Sequence, residues 1–316
     1  MKRYIAGLAC AAMAVMSVPA LASTAHAKAA DPVAALKSKL VSGHGVTFVD
    51  KTKAYAKGQK SMIAADRKGV LQFGSSGVVA SDQTGKYRFD KETLKMLEEA
   101  SESGEGGSGQ DENAEFEEFM AKLLKGMTKS ERVVRVGKSS YISGGVFGEF
   151  VPADKTWVRF PQETLGMVGT ATQSVNAAEP TTLKALLAHA TTKRAGFYSG
   201  KITWGELAKV SPWFRASLSG ALAGSTRKTV VNWKLYVGAD QLPKRLTTSY
   251  TPDKKTTVVY DTVYSGWGAK VSVKAPAAET VAELKDLQFD KPEVPLDILR
   301  GGVNSLVGRP TTGASR

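Results

Sequence analysis

Three histidines and one cysteine are all the strong nucleophile-activating and soft-ligand chemistry that 316 residues carry. None is spaced for work. His26 lies in a segment that reads as a cleaved leader, His44 sits in a loop between Gly43 and Gly45, and His189 follows Leu186-Leu187-Ala188 on an expected helix. A hydrolytic triad needs a serine on a sharp strand-to-helix turn, and Gly74-Ser75-Ser76-Gly77 lacks the Gly-x-Ser-x-Gly spacing. There is no His-x-x-x-His pair, no phosphate-binding P-loop and no glycine-rich dinucleotide fingerprint. Asp111-Glu112-Asn113 lacks the glycine and the terminal glutamate of a calcium loop. The abundant carboxylates nearby read as a solvated charge run. The expectation is therefore no catalytic residue, no metal ligand, no cofactor and no enzyme.

The start of the chain reads as an export signal: Lys2 and Arg3, the apolar Ile5 to Val18, and the small-x-small site Ala25-His26-Ala27. Cys10 raises the alternative of a lipid-attachment site; its nearness to the start argues against it, because cutting before it would remove most of that apolar stretch. Cleavage after residue 27 leaves a cysteine-free mature chain, with no disulfide or thiolate site, expected to be secreted, extracytoplasmic and monomeric. Charge is segregated. Between Asp90 and Glu118 the local balance is −9, so the remainder carries +22 of the net +13. A surface that basic suits anionic lipids or phosphorylated envelope polymers and allows peripheral membrane contact. Nucleic acid is excluded as a partner, since no basic run is interleaved with aromatics.

Elements that could position a site follow from periodicity. Asp31-Pro32 with Val33, Leu36 and Leu40 predicts a short capped helix. Residues 46–56, 62–73 and 77–89 read as successive antiparallel strands, followed by a helix over 90–100. The Gly/Ser-rich acidic stretch, a flexible insertion at about 101–114, has no apolar anchor. After it, Phe116, Phe119, Met120, Leu123, Leu124 and Met127 recur at the spacing of one helix face, which reads first as a core helix and second as a lid. Strands are expected at 133–141 and 149–160, and a helix capped by Thr181 or Thr182. Thr203-Trp204-Gly205-Glu206 fits a capping box. Val231, Trp233, Leu235 and Val237, interleaved with Asn232, Lys234 and Tyr236, give the clearest half-buried strand. Further strands fall at 246–250 and 256–264, with a turn at Ser265-Gly266-Trp267-Gly268 leading to Val271 and Val273. Trp267 reads as a packing pin there. The tail from 277 to 316 shows one helical patch at 281–287 and a disordered end. Together these predict an α+β fold of eight to eleven antiparallel strands with helices on one face of a curved sheet, spanning 28–276.

Several segments resemble, in order, one known family. They are Val133 to Tyr141, Trp157-Val158-Arg159-Phe160-Pro161, Tyr198 to Thr203 leading into Glu206-Leu207, Leu235 to Leu246 with its Leu242-Pro243-Lys244-Arg245, and Tyr264 to Gly268 with Val271 and Val273. The set is similar to secreted actinobacterial relatives of the LolA and LppX/LprG lipid-carrier fold. That resemblance implies a strongly bent antiparallel sheet, an incomplete barrel, closed by helices over an apolar cavity for acyl chains. The implied wall residues are Tyr141, Trp157, Val231, Trp233, Leu235, Val237, Tyr260, Val271 and Val273, with Phe116, Phe119, Met120 and Leu123 on the lid helix. The implied partner is a lipid or glycolipid. A second reading of the same fold is an envelope sensor or regulator that binds a membrane protein, as in the periplasmic regulators of anti-sigma factors.

Overall fold

The computed structural model describes residues 31–56, 64–104, 112–218, 222 and 224–287. The leader, the centre of the acidic insertion and the end of the tail fall outside these.

Six strands run consecutively, β1 (His44–Ala56), β2 (Ala64–Phe73), β3 (Val78–Arg88), β4 (Glu131–Val136), β5 (Ser139–Gly144) and β6 (Trp157–Phe160). Five more form a second meander, β7 (Ala190–Arg194), β8 (Phe197–Thr203), β9 (Val230–Val237), β10 (Pro243–Tyr250) and β11 (Thr256–Lys270). With the short β12 (Val281–Glu283) they make one twelve-stranded sheet in the order β12-β6-β5-β4-β3-β2-β1-β11-β10-β9-β8-β7. Every pairing is antiparallel except β12 with β6. The two meanders meet at one central seam where β1 pairs with β11, Val49 opposite Val263. The outermost strands do not pair with each other, so the sheet stays open.

Seven helices occur among the described residues: α1 (Pro32–Lys37), α2 (Lys91–Gly104), α3 (Glu112–Thr128), α4 (Gly166–Thr170), α5 (Pro180–Ala188), α6 (Trp204–Val210) and α7 (Pro212–Ser217). Local signals explain several of them. Asp31 accepts from the Val33 and Ala34 N–H groups and Pro32 occupies the first turn of α1. The box expected at α6 is complete: Thr203 accepts from the Glu206 N–H while the Glu206 carboxylate accepts from Thr203. Replacing Thr203 by Ala should cost about 1 kcal/mol of unfolding free energy in a urea titration, with Ser near neutral.

The structure corrects the sequence expectations in places. The segment 133–141 is two strands, because Gly137 at φ 61° turns the chain between β4 and β5. Over 149–160 only β6 is extended; a 3-10 turn occupies Phe147–Glu149. The helix at 180–188 starts at Pro180 behind Glu179, not at a threonine cap. The tail patch is β12 and a 3-10 turn rather than a helix, so residues 281–283 extend the sheet. The helices α2 and α3 reach into both ends of the acidic insertion. Trp267 lies within β11 between Gly266 (φ 68°) and Gly268 (φ 80°), stacks on Phe73, and donates its indole N–H to the Pro243 carbonyl at 2.9 Å.

Candidate functional site: the inner face of the sheet

One face of the sheet is covered and divides into three zones. Under α1, α5, α6 and α7 lies an apolar cluster that includes Phe48, Leu71, Phe73, Trp213, Phe214, Leu246 and Tyr264. Under α3 and α4 lies a second, with Tyr87, Val133, Ile142, Phe147, Phe150 and Val158. Between them runs a belt of buried polar and charged residues.

The belt centres on an ion pair. Asp50 and Arg67 face each other across β1 and β2, with Arg67 Nε donating to Asp50 Oδ2 at 2.8 Å, and both are almost wholly buried. The Arg67 guanidinium also lies over Phe48 and Trp213, 5.4 and 5.1 Å from the ring centres. Arg135 approaches the Trp213 ring at 5.5 Å and pairs with Glu163 at 3.1 Å. Burial lifts the Asp50 carboxyl above its ordinary range, with Arg67 opposing it in part. Burial likewise raises Glu179, although Ser211, Thr182 and the Trp213 N–H donate to it. Burial pushes Glu131 up to about 7 against two backbone donors, Val168 at 3.0 Å and Met167 at 3.2 Å. These groups tolerate the interior because nearly every one has a partner. Asp50 Oδ1, Arg67 Nη1 and the amide nitrogens of Gln173 and Asn176 have no protein partner. They belong to residues lining a cavity of about 10 Å³, the room of a single water.

What covers the belt is set by topology. β6 ends near one edge of the sheet and β7 begins at the other, so residues 161–189 must cross the whole inner face. This crossing strap is buried from Leu165 to Gly169 and again from Val175 to Pro180. Much of its backbone takes no place in a strand ladder, and sheet side chains satisfy it instead. Arg67 donates to the Gln173 carbonyl, Tyr87 to Met167, and Gln83 to Leu165, at 2.8, 2.9 and 3.3 Å. Tyr264 accepts from the Ala177 N–H at 3.1 Å. Gly85 leaves room in β3 for Val168, whose Cγ1 would lie 2.7 Å from an added Cβ.

The expected wall residues separate into groups. Val231, Trp233, Leu235 and Val237 all point inward, as their alternation predicts, and Tyr260 joins them stacked on Tyr250. Trp233 is 2% exposed and closely packed: a Cβ on Gly200 would come within 2.8 Å of its ring. Phe119 and Leu123 are buried in the second cluster, where Phe119 packs on Phe150 at 5.3 Å, and Met120 borders it. Phe116 falls on α3 at a position whose side chain lies outside the described residues. Tyr141 and Trp157 are not on the inner face. Their neighbours Ile142 and Val158, both fully buried, take the inward positions, while Trp157 lies under the Arg132 guanidinium at 5.4 Å. Val271 and Val273 lie beyond β11, half-buried; the Val273 N–H donates to Gln72 at 2.6 Å.

Sequence reasoning missed the belt, although a signal existed. Asp50 is in phase with inward Val46 and Phe48, and Arg67 with Ala65 and Leu71, so each interrupts an apolar row where a charge has no business unless paired. The two described histidines take no part: His189 pairs with the capping Glu206 at 3.1 Å, and His44 faces the Ser42 carbonyl. Among the described residues no group of three His, Cys, Asp or Glu could hold a metal ion, and no helix is long and apolar enough to cross a membrane.

No known family profile matches the chain, and no curated protein does. Solved structures do. The chain is similar to the hypothetical protein CT021 from Chlamydia trachomatis, at 10% identity and TM-score 0.29, over 77% of this chain and 96% of that one. It is also similar to the LolA superfamily protein NE2245 from Nitrosomonas europaea, at 7% identity and TM-score 0.30, over 74% and 90%. Thus a LolA superfamily protein is among its structural neighbours. The fold stands on the open antiparallel sheet and its one-sided helical cover, which is the architecture expected from the sequence.

Proposed function

We propose that this chain is a non-enzymatic extracytoplasmic binding protein for a lipid or glycolipid, with acyl chains taking the inner face of the sheet. The supporting observation is the extent of apolar surface on that face, two clusters lying under helices on one side of an open sheet. Its cover favours exchange. The helices α1, α5, α6 and α7 are six, nine, seven and six residues long, too short to be stable except through packing. The strap joins apolar core contacts through Leu165, Val175 and Ala177 to side-chain hydrogen bonds from Arg67, Tyr87 and Gln83. The cavity beside Arg67 has room for a single water, so a tail entering there would displace part of this cover, against a gain of about 0.8 kcal/mol per buried methylene.

Organic-solvent extraction of the purified secreted protein, followed by mass spectrometry, tests the reading. Acylated species in near-stoichiometric amount are the expected result. An empty protein that instead co-purifies with a membrane protein would overturn it in favour of the sensor reading.

A further inference from the structure

The outer face of the sheet carries a charge pattern that inner-face binding does not use. Three aspartates there are each held by an arginine from a neighbouring strand: Arg88 with Asp66 at 2.5 Å, Arg132 with Asp82 at 2.6 Å, and Arg245 with Asp261 at 2.7 Å. These pairs cancel. On the same face stand Lys51, Lys53, Lys68, Lys86 and Lys234, and none of the five has an ion-pair partner among the described residues. Register places them in one field. Lys51 lies opposite Asp66, which lies opposite Lys86; Lys68 lies opposite Val49 and Thr84; Lys234 lies opposite Thr247, which lies opposite Asp261.

Exposed apolar side chains run through the same field. Val49 and Val263 face each other across the central seam, 43% and 47% exposed, and Tyr236 lies two strands on, opposite Arg245. Solvent-facing valines at the centre of a sheet, with Lys51 and Lys68 beside Val49, are well placed against a headgroup layer.

We propose that this outer face docks on an anionic lipid bilayer, the lysines meeting headgroup phosphates and the Val49–Val263 pair resting at the headgroup boundary. The contact would leave the inner face and its cover on the side away from the membrane. It needs no bound lipid, so it can hold or fail separately from the carrier reading.

The test is co-sedimentation of the full mature chain with vesicles of phosphatidylcholine alone or of equal parts phosphatidylcholine and phosphatidylglycerol. Binding only to the second, weakened by added salt, is expected. At about fivefold per lysine, the triple variant Lys51→Gln/Lys68→Gln/Lys86→Gln should lower partitioning about a hundredfold. The pair Val49→Ser/Val263→Ser should lower it further without changing the salt dependence. Equal binding to both vesicles or an unaffected triple variant would overturn the proposal. Extraction of the triple variant reports on the carrier reading alone, since its substitutions touch no inner-face residue.

Discussion

Replacing Arg67 by Met should lower the unfolding free energy by about 4 kcal/mol, read from urea titrations at neutral pH. Arg67 is 3% exposed and holds three things together: the Asp50 carboxylate, the Gln173 carbonyl of the strap, and the faces of Phe48 and Trp213. Methionine fills much of the volume but donates nothing. Asp50 is then left as a lone buried carboxylate, which must either remain charged in an apolar interior or take up a proton. The double variant Asp50→Leu/Arg67→Met should recover a large part of the loss, because the pair costs desolvation that an apolar couple does not. A single variant as stable as the natural protein would mean that the belt is open to water.

Stability should also fall as pH rises from 5 to 8, with Glu131 contributing about 3 kcal/mol of the change. Its carboxyl titrates near the ordinary 4.5 in the unfolded chain and at about 7 in the fold, raised by burial. Between these values the folded state holds a proton that the unfolded state has released. The stabilisation is therefore complete below 4.5 and used up once pH passes 7. Burial raises Asp50 and Glu179 in the same direction, so the three reinforce one another. Glu131→Gln should flatten the slope between pH 5 and 8, as measured by urea midpoints across that range. An identical slope in the variant would place the titration elsewhere.

How much of this could be read beforehand depends on the range of the interaction. The β9 alternation and the Thr203–Glu206 box were legible because each is complete within eight residues, and the structure reproduces both. At Tyr141 and Trp157 aromatic character suggested an inward side chain, yet the phase of each short strand is fixed by Ile142 and Val158. With strands of six and four residues, periodicity gives too few repeats to choose. The turn at Gly137 is the missing clue: once it is placed, the expected single strand splits. The belt lay further from reach. Glu131 depends on backbone donors at Met167 and Val168, and Arg67 on the carbonyl of Gln173, so their meaning exists only after the strap has crossed the sheet.

The seam between β1 and β11 has a consequence for how the molecule comes into being. Each meander can assemble from neighbours in sequence, but Val49 finds Val263 only when almost the whole described chain is present. Such distant pairing closes slowly, since a long loop must surrender its freedom before any contact rewards it. A chain emerging from its N-terminus would therefore hold two separate meanders until its last long strand arrives, with the middle of the sheet knitting together last.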